Sequence, residues 1–170
     1  MMLHRLAFLV FVVSCLVVLP EVTLAQNPRF PAGAEAASRL DPSQLMKKAL
    51  PLLKTGREDE AVFWFYAGQL RWRSQLVSHP DQDPTGQPAL FSSFMATIGP
   101  DVNEWAFGDI PALQKTIASV LEWDRRYPDP TVSAAAAESS RSGLRNLRTS
   151  IGKDVDSIKR KRAANGLTNR

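Results

Sequence analysis

The segment that most limits the fold is "EDEAVFWFYAGQLRWR", residues 58–73, in which the six consecutive side chains at 62–67 are apolar or aromatic. Its charges are arranged as a helix prefers. Glu58, Asp59 and Glu60 face the positive end of the dipole, and Arg71 and Arg73 lie toward the negative end. At helical spacing it carries two apolar stripes, one through Val62, Phe65, Gln69, Trp72 and Leu76, the other through Phe63, Tyr66, Ala67, Leu70 and Val77. Two stripes on one helix require neighbours on two sides, so this segment reads as the core spine of the fold. Gly68 costs about 1 kcal/mol of helix stability relative to alanine, a cost that close approach by a second helix would offset.

Elsewhere the punctuation is helical too. Asp41 reads as an N-cap with Pro42 in the first turn, followed by an apolar side of Leu45, Met46, Ala49, Leu50, Leu52 and Leu53. Pro51 is expected to kink or shorten that helix, and Gly56 to stop it. After a turn-rich loop at 78–88 comes a short apolar helix to Gly99, then a turn or two to Gly108. Asp109 and Pro111 next open a longer helix with a stripe of Leu113, Ile117, Val120, Leu121 and Trp123. Beyond Thr131 the texture is rich in alanine, serine and arginine. A narrow stripe of Leu144, Leu147, Ile151, Val155 and Ile158 predicts a helix over much of 132–162, and the last eight residues are expected to be disordered. No segment alternates like a strand. The expectation is an all-α protein, a small bundle of about five or six helices with a C-terminal amphipathic helix.

The opening stretch reads as a targeting segment. Arg5 precedes an apolar run at 6–19 of about 14 residues, short of the ~20 a spanning helix needs, and Thr23 and Ala25 suit cleavage after Ala25. The alternatives are an uncleaved N-terminal anchor, or lipidation at Cys15, since "VVSC" loosely matches a lipobox. Cleavage after Ala25 would leave an exported chain, periplasmic or secreted, without cysteine and held together by its core alone. The expected organisation is a signal peptide at 1–25, a flexible leader at 26–40, a helical domain at 41–130 and a basic helix and tail at 131–170. Residues 26–130 hold 11 Lys+Arg against 13 Asp+Glu, and residues 131–170 hold 9 against 3. The basic pI therefore belongs to the tail, which argues against nucleic acid as a partner of the domain.

The string "LLKTGREDEAVFWFYAGQL" resembles the second half of a tetratricopeptide repeat. Gly56 sits at the turn, Glu60 and Ala61 follow, then Phe65 and the small Gly68, and Ala49 falls at the first helix's small position. The resemblance implies an antiparallel helical hairpin. Arg73 stands where a proline would close the repeat, Lys48 replaces an apolar residue, and the pattern occurs once, over about a fifth of the chain, whereas such arrays need about three repeats. "DEAVFWFYAGQLR", with "NEWAFGD", is also similar to short exported bacterial helical proteins of unassigned activity. That likeness implies an exported helical product and carries no catalytic residue across.

Chemistry is sparse. Outside the targeting segment the only histidine is His79, which rules out a zinc site of ordinary ligand count unless carboxylates dominate it, and no metal or cofactor is expected. A triad of a serine with His79 and Asp81 or Asp83 is conceivable, but a solvent-facing loop histidine is the simpler reading. Glu60, Glu104, Asp109 and Asp124 lie near tryptophans and Phe107, as a sugar-cleaving pair might, yet helix starts and arginine pairing account for them. No catalytic residue is assigned. Gln69 and Tyr66, if buried, need partners, for which Asn103, Glu104 and Arg71 are candidates.

The leading functional expectation is an exported, non-enzymatic binding module that recognises a protein or peptide partner of the cell envelope, an immunity protein being one version. Its candidate partner-binding residues are Trp64, Gln69, Arg71, Arg73, Asn103, Glu104 and Trp105. The alternatives are an envelope-associated structural protein held to an anionic surface by Lys159, Arg160, Lys161 and Arg162, and an envelope sugar hydrolase.

Overall fold

A computed structural model describes residues 30–170; the apolar run, Cys15 and the expected cleavage point lie outside them. The described residues are all-helical: α1 (Ala34–Ala37), α2 (Pro42–Lys47), α3 (Ala49–Lys54), α4 (Glu58–Ser78), α5 (Gln87–Thr97), α6 (Gly99–Ala106), α7 (Ile110–Arg126), α8 (Ala134–Lys153) and α9 (Val155–Ala164). Helices outnumber the expectation because two predicted units are divided and the leader adds one more short helix. The segment after Asp41 breaks at Lys48, next to Lys47, whose carbonyl finds no N–H at Pro51 four residues on. The C-terminal helix breaks at Asp154, and the leader carries α1. Asp41 and Asp109 cap as their residue types predict. Asp41 Oδ1 accepts from Ser43 N at 2.8 Å while Gln44 Oε1 accepts from Asp41 N at 3.0 Å, and Asp109 Oδ1 accepts from Ala112 N at 3.0 Å.

α4 is the spine. It packs against α2, α3, α5, α6, α7 and α8, and every residue from Ala61 to Gly68 is buried. Its rings meet edge to face: Phe63 and Trp64 at 5.0 Å, and Trp64 and Trp123 of α7 at 6.0 Å and 88°. Such pairs add about 0.5–1.5 kcal/mol each beyond the area they bury. The stripes hold except at the C-terminal end, where Val77 is 52% exposed. Gly68 faces α2 at very short range: a Cβ placed there would lie 2.5 Å from Met46 Cγ and 2.8 Å from the Pro42 carbonyl oxygen.

The described part of the leader, from residue 30, and the tail are both fastened down. Trp123 Nε1 donates to the Ala34 carbonyl at 2.9 Å, and Ala34 and Ala37 are buried. α8 lies against α4 and α7, with Leu144 and Ile151 in the core and Leu147, Val155 and Ile158 packed on it. The stripe on α8 and α9 is thus a packing face. The final residues, expected to be disordered, instead turn back. Gly166 adopts φ +72°, Gly166 N donates to Ala163 O at 3.0 Å and Leu167 N to Arg162 O at 2.9 Å, the hydrogen-bond pair that ends a helix at a left-handed glycine.

Gly143 is the counterexample to Gly68. It sits exposed inside α8, and a Cβ there meets nothing within 4 Å. Gly143→Ala should therefore raise stability by up to about 1 kcal/mol, read as a higher urea midpoint at unchanged m.

Candidate functional site

The residues expected to bind a partner separate into three places. Trp64 and Arg71 are interior, at 0% and 2% exposure, so no partner reaches them in the folded protein. Trp64 belongs to the aromatic core. Arg71 is fully engaged: Nε donates to Asp124 Oδ1 at 3.3 Å, Nη1 to the Ser38 carbonyl and Nη2 to the Tyr127 carbonyl, with the guanidinium 4.1 Å from the Trp123 ring centroid. Asp124 also accepts from Arg141 Nη1 at 2.9 Å. Burial pushes the Arg71 guanidinium below its ordinary pKa, and the charge and hydrogen bond of Asp124 push back. This is a structural knot joining α4, α7, α8 and the loops beside them.

A second group lies toward α5. Gln69, half-buried, donates from Nε2 to Met95 Sδ at 3.2 Å, a partner its position in the sequence did not suggest. Arg73 is exposed and its guanidinium lies 5.5 Å over the Phe91 ring. Tyr66, by contrast, finds one of the partners expected for it. Its hydroxyl donates to Asn103 Oδ1 at 3.0 Å, and burial pushes the phenol well above its ordinary pKa, keeping it a neutral donor. Asn103 is consequently a clamp between α4 and α6.

The third group makes a cleft. Glu104 and Trp105 on α6 face the start of α4 across a cavity of about 460 Å³, closed on its far side by α9 and the tail. Glu58, Asp101 and Glu104 supply carboxylates to its wall, and none of them is in an ion pair among the described residues. Trp105 is held by its own N–H, which donates to Asp59 Oδ1 at 2.9 Å, so the ring presents a fixed face. On that face lies a guanidinium. Arg170 stacks with its Cζ 3.3 Å from the ring centroid, Nη2 donates to the Trp105 carbonyl at 3.0 Å, and the Arg170 backbone N–H donates to Gly108 O at 2.7 Å. The Trp105 ring and the Trp105 carbonyl thus hold one planar cation, the Arg170 guanidinium.

Arg162 lies beneath the returning tail at 9% exposure, with Nη2 donating to Thr168 O at 2.8 Å. It is therefore a support for the tail and is unavailable to an anionic surface; Lys159, Arg160 and Lys161 remain exposed. Sequence reasoning reached Glu104 and Trp105 but missed Glu58, Asp101 and Arg170. The spacing of Asp101, four residues before Trp105 on one helix, was a local sign; nothing local announces that residue 170 returns to α6.

The remaining chemistry is not assembled. His79 Nδ1 is spent on the Gln75 carbonyl at 3.0 Å, and the Asp83 carboxylate accepts from Thr85 N at 2.9 Å and Thr85 Oγ1 at 2.8 Å. Among the described residues no group of three or more histidine, cysteine or carboxylate side chains is placed to hold a metal ion, and no helix is long and apolar enough to cross a membrane. Comparison with protein-family models, with curated proteins and with solved structures gives no match.

Proposed function

We propose that this protein is an exported, non-enzymatic helical binding module that recognises a protein or peptide partner through the Trp105 cleft, and that the group it reads is an arginine side chain of that partner. The observation that carries the reading is the Arg170 guanidinium stacked 3.3 Å over Trp105, in a cleft whose lining also includes Glu58, Asp101 and Glu104. A cleft that already accommodates one guanidinium has the shape, the π-face and the charge to take another. Export rests on the sequence alone, through Arg5, the apolar run at 6–19 and the cleavage pattern at Ala25.

The test vacates the cleft without disturbing its walls. Arg170→Ala protein, titrated by calorimetry with a short arginine-containing peptide, is expected to bind it more tightly than the parent protein does. Adding Trp105→Ala should weaken that binding by about tenfold, the worth of a partly desolvated cation–π contact. Folded Arg170→Ala protein that takes up no arginine peptide, or takes up a lysine peptide and an uncharged one equally, would defeat the reading.

A second reading, attachment to an anionic surface, is favoured by the exposure of Lys159, Arg160 and Lys161 on α9. With the apolar stripe packed on the domain, it rests on charge alone, at about 1 kcal/mol per cation at an anionic membrane.

A further inference from the structure

Residues 166–170 lie against the Trp105 cleft at a cost. Asn169 Oδ1 is buried with no hydrogen-bond partner among the described residues, and so is Nε of Arg162, the side chain that bonds the tail through Thr168 O at 2.8 Å. Each buried, unpaired polar atom is destabilising, and lifting the tail lets water reach them. Little opposes that movement. Asn169 Nδ2 donates to Lys159 O at 3.1 Å, so this bond and the Thr168 bond both go to α9, from which the tail springs. Beyond α9, the hydrogen bonds to the domain are those of Arg170, from its backbone N–H to Gly108 O at 2.7 Å and from Nη2 to Trp105 O at 3.0 Å. Gly166, Thr168 and Arg170 are exposed, and only Leu167 and Asn169 are half-buried. A segment with so few buried contacts opens locally at low free energy. Gly166, in the left-handed region at φ +72° and without a Cβ to restrict it, is the natural pivot.

The docked tail has the form of a bound peptide with two anchors. Arg170 supplies the guanidinium over Trp105. Leu167, three positions earlier, lines the same cavity as Leu53 of α3. Between them, Thr168 is engaged through its carbonyl, which any residue supplies, and Asn169 fits poorly because its Oδ1 is orphaned. A tethered segment acts at a local concentration on the order of millimolar, so a free segment displaces it only by matching both anchors or improving on the residues between them.

We propose that residues 167–170 are a tethered occupant of the Trp105 cleft, and that the partner segment which displaces them carries a leucine three positions before its arginine. This rests on the arginine reading above and adds to it a second anchor and a gate that swings on Gly166.

The experiment uses three peptides capped at both ends, GLTNRG, GATNRG and GLTNAG. Calorimetry is done on full-length protein carrying Leu167→Ala and Arg170→Ala, whose tail holds neither anchor; neither residue belongs to the hydrophobic core. GLTNRG should bind about tenfold more tightly than GATNRG, the worth of burying leucine in place of alanine, and GLTNAG should not bind. A second arm needs no substitution. In ¹⁵N-labelled parent protein, binding of GLTNRG should move the amide peaks of residues 167–170 to the positions of unstructured chain. Equal affinity for GLTNRG and GATNRG, with GLTNAG still silent, would leave the arginine reading standing and overturn the second anchor. Binding by none of the three would overturn both. Peaks of 167–170 that stay in place while GLTNRG occupies the parent protein would show that the tail is not displaced, and the proposal would fall.

Discussion

Asp124→Ala is expected to remove about 3–5 kcal/mol of stability, a large part of the roughly 5–15 kcal/mol a native domain usually has. The reason is what the substitution leaves behind. The Arg71 and Asp124 side chains are 2% and 5% exposed, and Arg71 stays protonated at any ordinary pH. Removing the carboxylate leaves the buried cation bonded only to the Ser38 and Tyr127 carbonyls and stacked on the Trp123 ring, with the more distant charge of Asp129 as partial compensation. Arg141 loses less, because it is 17% exposed and also bonds Glu138 at 3.2 Å. Urea unfolding followed by tryptophan fluorescence reads the loss. The double variant Arg71→Met, Asp124→Leu should recover much of it, since apolar side chains of similar volume commonly replace a buried ion pair at little cost. Recovery will be incomplete because two backbone carbonyls lose their donor. A single variant as stable as the parent would mean that water already reaches the knot.

The contrast between α4 and the charged knot shows what a sequence read alone can supply. The burial of 61–68 and the caps at Asp41 and Asp109 follow from local pattern, because each depends on the helical period or on a neighbour two or three residues away; at Gly68 and Tyr66 the sequence announces a need, for a close neighbour and for a polar partner, that distant residues then meet. Arg71 was read as a surface contact because a cation near the end of a helix ordinarily faces water. Its burial depends on Asp124, Ser38 and Tyr127, which periodicity on α4 cannot see. Asp124 was expected to pair with adjacent arginines, yet Arg125 bonds Glu122 at 2.5 Å and the carboxylate turns inward to Arg71 and Arg141 instead. The Trp105 cleft was half visible for the same reason: Glu104 and Trp105 are neighbours in sequence, while Arg170 arrives only through the turn at Gly166. Local chemistry was legible, and long-range closure was not.

Gly68→Ala is the sharper test of the spine. Helix propensity alone predicts a gain of about 1 kcal/mol, as it does at Gly143. The geometry predicts the opposite sign. A methyl group at position 68 would sit 2.5 Å from Met46 Cγ, 2.8 Å from the Pro42 carbonyl oxygen and 2.9 Å from the Met46 backbone nitrogen. The methionine side chain can swing away, but two of the three atoms are backbone, and they retreat only if α2 lifts off α4. Overpacking of this kind costs about 1–3 kcal/mol, so the net expectation is a loss of up to about 2 kcal/mol, and more for Gly68→Leu. The damage should also spread. The turn that precedes α2 carries Ser38, whose carbonyl receives Arg71, and Asp41, whose carboxylate caps α2. Lifting α2 therefore weakens the charged knot as well, and Gly68→Ala combined with Asp124→Ala should cost less than the sum of the two single losses. Adding Met46→Ala to Gly68→Ala relieves only the side-chain contact and should restore little. If Gly68→Ala instead matched Gly143→Ala in stabilising the protein, α2 would not lie against α4 as closely as described.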